Sequence, residues 1–459
     1  MNLYLAYAAP VVAGLLLAFG ILWIKSPFFI LAKRSASLLD LLVSDLDEDT
    51  KFEAVNGQVF KTVGSLLHVL GKLVLVLILA IGLASELPRM LEWPEIGSTL
   101  SMVLLSLGSL PPFFLPKNKT SDYSDMAQLF HHLVLDHYHL GRRLLQRQIK
   151  GTESPIQEGK TTRVLITGLA RAGTTALTKE VEKRGPFASL DYSNMPLLLA
   201  PTLWGKIYKP KREETKERAH GDGVKVGLAS VEALEEYFFK VLKNDSYITD
   251  RAVEEHSLTE EENMLYRRYA DSICKPGEIY LAKNNNAITR LASLTALNPD
   301  LKVIVMLRNP LQHAKSLLAQ HKKFVSEQES DPFILTYMDW LGHHEFGKGQ
   351  RKFSFKGCES NASEHTPDEI EYWLVQWMNY YNRVRTMNGI HLLSYESFLK
   401  DPKHTLEVIN DKLEVPIRQD AITIFEKEVK PVKNVNAELS AKANTLYQEL
   451  IALCPNEYS

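Results

Sequence analysis

The first 24 residues carry no charged side chain. A helix needs about 20 apolar residues to cross the roughly 30 Å hydrocarbon core of a bilayer. A membrane span is therefore expected over residues 4–24. A second apolar run, residues 66–85, is interrupted only by Lys72, which lies near one end and can snorkel to the interface. A third uncharged stretch, residues 96–115, is expected to span as well, although Pro111-Pro112 shortens its regular helix. A re-entrant or interfacial helix is the competing reading there. A secretory signal peptide competes for the first segment, but the basic leader and a small-x-small cleavage site are missing.

Loop charges orient these spans. Lys25, Lys33, Arg34, Lys51 and Lys61 lie between the first two segments, and Arg89 lies between the second and third. Lys117, Lys119, Arg142, Arg143, Arg147 and Lys150 follow the third. Basic residues stay on the cytosolic side. Three spans with the N-terminus outside satisfy each loop and leave the remainder of the chain in the cytosol. Should the third segment not cross, that remainder would face outward.

Beyond this region the chain is ordinary globular material. Lys+Arg is 53 and Asp+Glu is 55, a formal net charge of -2, which excludes a polybasic nucleic-acid binder. The 45% hydrophobic content excludes disorder. Three cysteines, Cys274, Cys358 and Cys454, make neither a disulfide framework nor a zinc spacing. They suit a reducing compartment. The expected organisation is a transmembrane region over residues 1–116, a helical linker over 117–160 with one helix at 125–150, and an α/β domain over 161–459.

That domain opens on an apolar run, Arg163 to Thr167, suited to a buried parallel strand. Gly168-Leu169-Ala170-Arg171-Ala172-Gly173-Thr174-Thr175 follows, and residues 176–183 read as a helix. Strand, glycine loop and helix N-terminus present backbone N–H groups to a phosphate. The pattern is G-x-x-x-x-G, but Thr-Thr stands where a Walker loop has Lys-Ser/Thr. Arg171 supplies a cation inside the loop instead. Ala170 breaks the dinucleotide pattern. Alone, such a loop is equally well a tight strand-to-helix turn.

A second strand, residues 302–307, ends in Arg308-Asn309-Pro310 and leads into a helix over 311–324. Asn309 suits the N-cap and Pro310 the first turn. His313, Ser316 and Gln320 form one polar stripe on that helix. Arg308 and Ser316 could hold one anion together.

Together the two elements resemble the 3′-phosphoadenylyl-sulfate (PAPS)-dependent sulfotransferases. Arg171-Ala172-Gly173-Thr174-Thr175 is similar to that family's 5′-phosphosulfate loop. Arg308-Asn309-Pro310 with Ser316 is similar to its 3′-phosphate site. Tyr280-Leu281-Ala282-Lys283-Asn284, the helix of Trp373 and Trp377, and residues 391–398 followed by Asp401-Pro402 agree, and the run 312–321 with residues 343–347 after it looks most like bacterial members. The resemblance covers about residues 163–413. It implies a P-loop-like fold with a central parallel sheet flanked by helices, PAPS as donor, and no metal. Gly168, Arg171, Ala172, Gly173, Thr174, Thr175, Arg308 and Ser316 would bind the donor.

Negative charge builds on the leaving oxygen in sulfuryl transfer, and Arg171 with the loop N–H groups is placed to stabilise it. Lys283 would contact the transferring group, unless it is an ordinary salt-bridged strand lysine. A general base must take the acceptor's proton. Asp191, just after the first helix, is the first candidate, although a turn-capping Asp reads the same way. His220, in a Gly-rich loop, is the second. The tether to a bilayer favours a lipid or membrane-delivered glycan as acceptor. Two other readings compete. One is an unusual P-loop kinase or NTPase, against which the missing lysine argues. The other is an inactive membrane scaffold, against which the retained Arg171, Thr174, Thr175, Arg308 and Ser316 argue.

Overall fold

The computed structural model describes residues 2–43, 47–111, 125–153, 160–208, 216–217, 225–226, 233–356, 365–418 and 435–456. The chain divides into two units, residues 1–140 and 141–459.

In the first unit, α1 (Asn2–Val43) and α2 (Glu48–Ile81) are, among the described residues, the two helices long and apolar enough to cross a membrane. A π turn, Gly82–Glu86, carries α2 on to Met90. The 42 residues of α1 extend about 63 Å, twice a hydrocarbon core. Residues 4–24 are thus only its apolar part. The helix runs on through Pro27 to Val43; the apolar run marks where lipid would lie, not where the helix ends. On that polar half Arg34 donates to Lys61 O at 2.9 Å and to Ser65 Oγ at 2.5 Å, and Gln58 Nε2 donates to Arg34 O at 3.1 Å. The ammonium of Lys72 lies 4.0 Å above the Trp23 ring. This cation–π contact holds it on the neighbouring helix.

The third apolar segment forms α3 (Ser98–Ser109), 12 residues or about 18 Å. That is shorter than the hydrocarbon core, and residues 112–124 lie outside the described residues. Gly14 and Gly108 let α1 and α3 touch. A Cβ at Gly14 would lie 2.9 Å from the Leu105 carbonyl carbon, and one at Gly108 would lie 2.8 Å from that of Val11. Small residues at such crossings are the usual device where no hydrophobic force joins helices.

The single helix expected over 125–150 is two: α4 (Asp125–Leu135) and α5 (Tyr138–Gln148). At the junction His132 O accepts from both Asp136 N and His137 Nδ1 at 3.2 Å, and the His132 imidazole Nδ1 lies 3.3 Å from the Asp136 carboxylate.

The second unit is built on five parallel strands. In chain order come β1 (Arg163–Thr167), α6 (Thr174–Glu182), β2 (Phe187–Ala188), α7 (Glu236–Lys243), α8 (Glu260–Ile273), β3 (Ile279–Lys283), β4 (Leu301–Leu307), α9 (Pro310–Ser330), α10 (Ile370–Arg385), β5 (Ile390–Ser394) and α11 (Ala437–Ile451). The order across the sheet is β2-β3-β1-β4-β5. Arg163 pairs with Tyr280 on one side and Leu301 on the other, and Leu307 pairs with Ser394. β1 is buried throughout, as a central strand covered on both faces must be. Its one charge, Arg163, is neutralised by Asp300 at 2.7 Å and Asp271 at 2.5 Å. Val164, Ile166, Leu177, Val181, Ile304, Met306, Leu393 and Phe398 make one apolar core.

After β1 the chain moves to one side of the sheet, and after β3 it crosses to the other. That reversal opens a crevice at the carboxyl ends of β1 and β4. The aromatic run Tyr237-Phe238-Phe239 is fully buried, with Phe238 stacked on Tyr269 at 4.9 Å. It is core.

Candidate functional site

Four strand ends meet at the crevice: Thr167, Lys283, Leu307 and Ser394. The loop from β1 to α6 crosses it. Gly168 (φ +149°) passes the β4 backbone so closely that a Cβ would lie 2.9 Å from Met306 O. Gly173 (φ +95°) is the N-cap of α6, and a Cβ there would lie 2.6 Å from Tyr395 Cε2. Arg171 is left-handed without being glycine, at φ +71°. That conformation costs an L-residue roughly 1–2 kcal/mol and persists only where its surroundings fix it.

The β4–α9 junction does the fixing. Arg308 Nη1 donates to Arg171 O at 2.7 Å, and His313 Nε2 donates to Ala170 O at 2.7 Å. Arg171 Nε donates to Ser316 Oγ at 3.2 Å. The loop, the strand end and the second turn of α9 thus form one cluster. Within it Arg308 is buried 4.8 Å from the Tyr395 ring centroid, and its Nε has no partner among the described residues. Burial pushes its guanidinium pKa down, Tyr395 and Glu396 oppose that, and Arg171 adds repulsion. A buried cation whose direct bond goes to a carbonyl is suited to receive an anion.

The frame around Arg308 is rigid. Trp377 Nε1 donates to Arg308 O at 3.1 Å. Asn309 Oδ1 accepts from Gln312 N at 3.2 Å, which is the expected N-cap, and α9 runs on to Ser330, past the expected residue 324. Glu396 accepts from Asn309 N at 3.0 Å and from the Tyr447 hydroxyl at 3.2 Å.

The remaining predicted residues fall at varying places. Thr174 is buried, its hydroxyl 3.4 Å from Asn285 Oδ1, and Thr175 is half-buried in the first turn of α6. Ala172 is buried with its N–H bonded to Leu169 O at 3.0 Å. Lys283 is buried at the end of β3, in register with Ile166 of β1. Asp191 caps a short 3-10 turn and accepts from Ser193 N at 2.8 Å and Ser193 Oγ at 2.5 Å. Burial raises its pKa, and those bonds oppose the rise. The capping role foreseen as its alternative is therefore present. His220 lies outside the described residues. No cluster of His, Cys, Asp and Glu among the described residues could hold a metal ion.

A family model described as "Sulfotransferase domain" matches residues 161–442, more than half of the chain. The chain belongs to the sulfotransferase family. Three solved structures are similar to it. A sulfotransferase of Mycobacterium avium is 12% identical, with a TM-score of 0.36, over 79% of this chain and 86% of that one. A sulfotransferase of Mycobacterium tuberculosis is 13% identical, with a TM-score of 0.36, over 70% and 81%. One of Alicyclobacillus acidocaldarius is 13% identical, with a TM-score of 0.31, over 64% and 94%. No curated protein matches the chain.

The sulfotransferase domain also holds groups that sequence reasoning missed. Asn284 donates to Glu235 at 3.2 Å and Glu236 at 3.0 Å, while its carbonyl accepts from Thr167 Oγ1 at 2.6 Å. Glu236 is ion-paired with Arg290, and both are fully buried. An acidic pair ahead of an aromatic helix reads in sequence as a solvated helix start, so nothing marked it as interior. His313 was visible only as one member of a polar stripe.

Proposed function

We propose that this sulfotransferase takes its sulfuryl group from PAPS and passes it to a hydroxyl or amine of an acceptor. The observation that carries the reading is the joining of a loop cation to a strand-end cation: Arg171 bonded to Ser316 beside a buried Arg308 with no carboxylate at salt-bridge distance among the described residues. PAPS supplies an activated sulfuryl group on a 5′-phosphate and carries a 3′-phosphate besides. Gly173, Thr174 and Thr175 would hold the 5′ end through backbone N–H groups and the α6 terminus, in a loop shaped by Gly168 and by Ala172, whose own N–H is bonded to Leu169 O. Arg308 and Ser316 would hold the 3′-phosphate, for which an ATP enzyme has no use. Arg171 stabilises negative charge at the leaving oxygen, and Lys283 neutralises the sulfuryl oxygens. Asp191 is the proposed base. Its carboxylate would exchange its Ser193 bonds for the acceptor's proton.

The two long apolar helices support a membrane location. We place the catalytic domain on the cytosolic side, on the loop charges; this requires the segment that holds α3 to cross as a third span, since two crossings with the same loop charges would put the domain outside. A domain held there meets lipids and membrane-delivered glycans, and an acceptor of that kind is our proposal. Purified protein given sulfate-labelled PAPS and a membrane lipid extract should yield a labelled lipid or glycolipid by mass spectrometry. Label transferred only to soluble or protein acceptors would overturn the acceptor assignment. No transfer to any class would overturn the activity.

A further inference from the structure

The loop's two clamped carbonyls lie side by side, and one of the clamps has no part in holding the donor. His313 is fully buried on the first turn of α9. Its Nε2 meets Ala170 O at 2.7 Å, so Nε2 carries the hydrogen and donates. Nδ1 is buried and without a partner among the described residues. Burial first, then the charges of Arg308 and Arg171, push its pKa down to about 3, so the ring is neutral. A neutral imidazole with one N–H has a single bond to give, and it gives it to the loop.

The peptide joining Ala170 to Arg171 is trans, so its N–H points opposite to its C=O. Because His313 draws the Ala170 carbonyl into the core, the Arg171 N–H is turned out of it. Arg308 draws in the next carbonyl, that of Arg171, in the same way. An anion cradle needs N–H groups facing the ligand and carbonyl oxygens facing away. Two side chains from the β4–α9 junction enforce that polarity at two successive carbonyls, one of them in a left-handed residue.

We infer that His313 is a positioning residue for the phosphate loop: its hydrogen bond to Ala170 O sets the Arg171 N–H and guanidinium to receive the 5′ end of the donor. The inference rests on the reading of this loop as the 5′-phosphosulfate cradle. It separates His313 from Arg308, which acts at the 3′-phosphate.

The test measures the gain in affinity that a 5′-phosphate brings, as the ratio of calorimetric Kd values for adenosine 3′-phosphate and adenosine 3′,5′-bisphosphate. His313→Leu fills similar space without a donor, and His313→Gln keeps an N–H of similar reach. The ratio should fall at least about tenfold in His313→Leu, the worth of one charge-assisted hydrogen bond, and return toward the full-length wild type in His313→Gln. Binding of the 3′-phosphate alone should hold within about threefold, well under the worth of one such bond. A general loss of folding would weaken both nucleotides equally. An unchanged ratio in a folded His313→Leu protein overturns the inference and leaves the donor site standing. If His313→Leu does not fold, His313→Gln and His313→Asn decide: Asn is too short to reach, so equal ratios in the two overturn the inference. Failure of the wild type itself to bind the bisphosphate would overturn the underlying reading instead.

Discussion

Gly173→Ala places a methyl group where the loop has no room for one. At φ +95° and ψ 8° an L-residue is strained by roughly 1–2 kcal/mol. The new Cβ would also lie 2.6 Å from Tyr395 Cε2, and relieving such an overlap costs about 1–3 kcal/mol. The sum is roughly 2–5 kcal/mol of lost stability. For a domain of this size about 2 °C is lost per kcal/mol, so Tm should fall by roughly 4–10 °C. A thermal melt of detergent-solubilised protein reads this directly. The two contributions can be separated by repeating the substitution in a Tyr395→Leu background. There the ring contact is gone, and Gly173→Ala should cost only the backbone part, roughly 1–2 kcal/mol. Equal costs in the two backgrounds would show that Tyr395 does not press on the loop. A single Gly173→Ala variant melting within about 1 °C of wild type, a quarter or less of the expected loss, would refute the loop geometry altogether.

Arg308→Ala should weaken adenosine 3′,5′-bisphosphate about 100-fold or more and AMP by clearly less, because charge-assisted bonds of about 1.5–3 kcal/mol each are lost at the 3′ end while the 5′ loop loses only its bond at Arg171 O; titration calorimetry of both ligands decides, and equal losses count against the assignment. Asp191→Asn should leave bisphosphate affinity unchanged and lower turnover about 100-fold; intact turnover places the base elsewhere. Glu182 has its pKa raised from 4.5 to about 7, first by burial and then by the charge of Asp191. A carboxyl that holds its proton longer folded than unfolded loses stability as pH rises between those values. Glu182→Gln should therefore match wild type in denaturant melts below pH 4.5 and exceed it increasingly up to pH 7; a constant difference across that range would sink the claim.

Most of the sheet was legible because buried parallel strands are short continuous apolar runs. Residues 163–167 and 302–307 announce themselves that way, with Gly168 and Asn309-Pro310 as punctuation. Helix ends were less legible. The apolar run of α1 gives no sign that the helix continues through Pro27 to Val43, and no Pro or Gly marks the break between Leu135 and Tyr138. At the site, the sequence pointed to a phosphate loop carrying Arg171 and to one anion held by Arg308 and Ser316. It did not say that Arg171 itself bonds to Ser316, since that depends on a left-handed backbone. His313 and the Glu236–Arg290 pair were hidden for another reason. Buried polar groups look like surface ones in sequence until their partners, more than 50 residues away along the chain, are brought beside them.

The central claim is that Arg308 and Ser316 form a 3′-phosphate site next to a phosphate loop. It is tested most directly by calorimetric titration of the wild-type protein with adenosine 3′,5′-bisphosphate and, separately, AMP. The account predicts that the bisphosphate binds at least about 100-fold more tightly, from two or more charge-assisted hydrogen bonds to the 3′-phosphate. Equal affinity for the two nucleotides would contradict it.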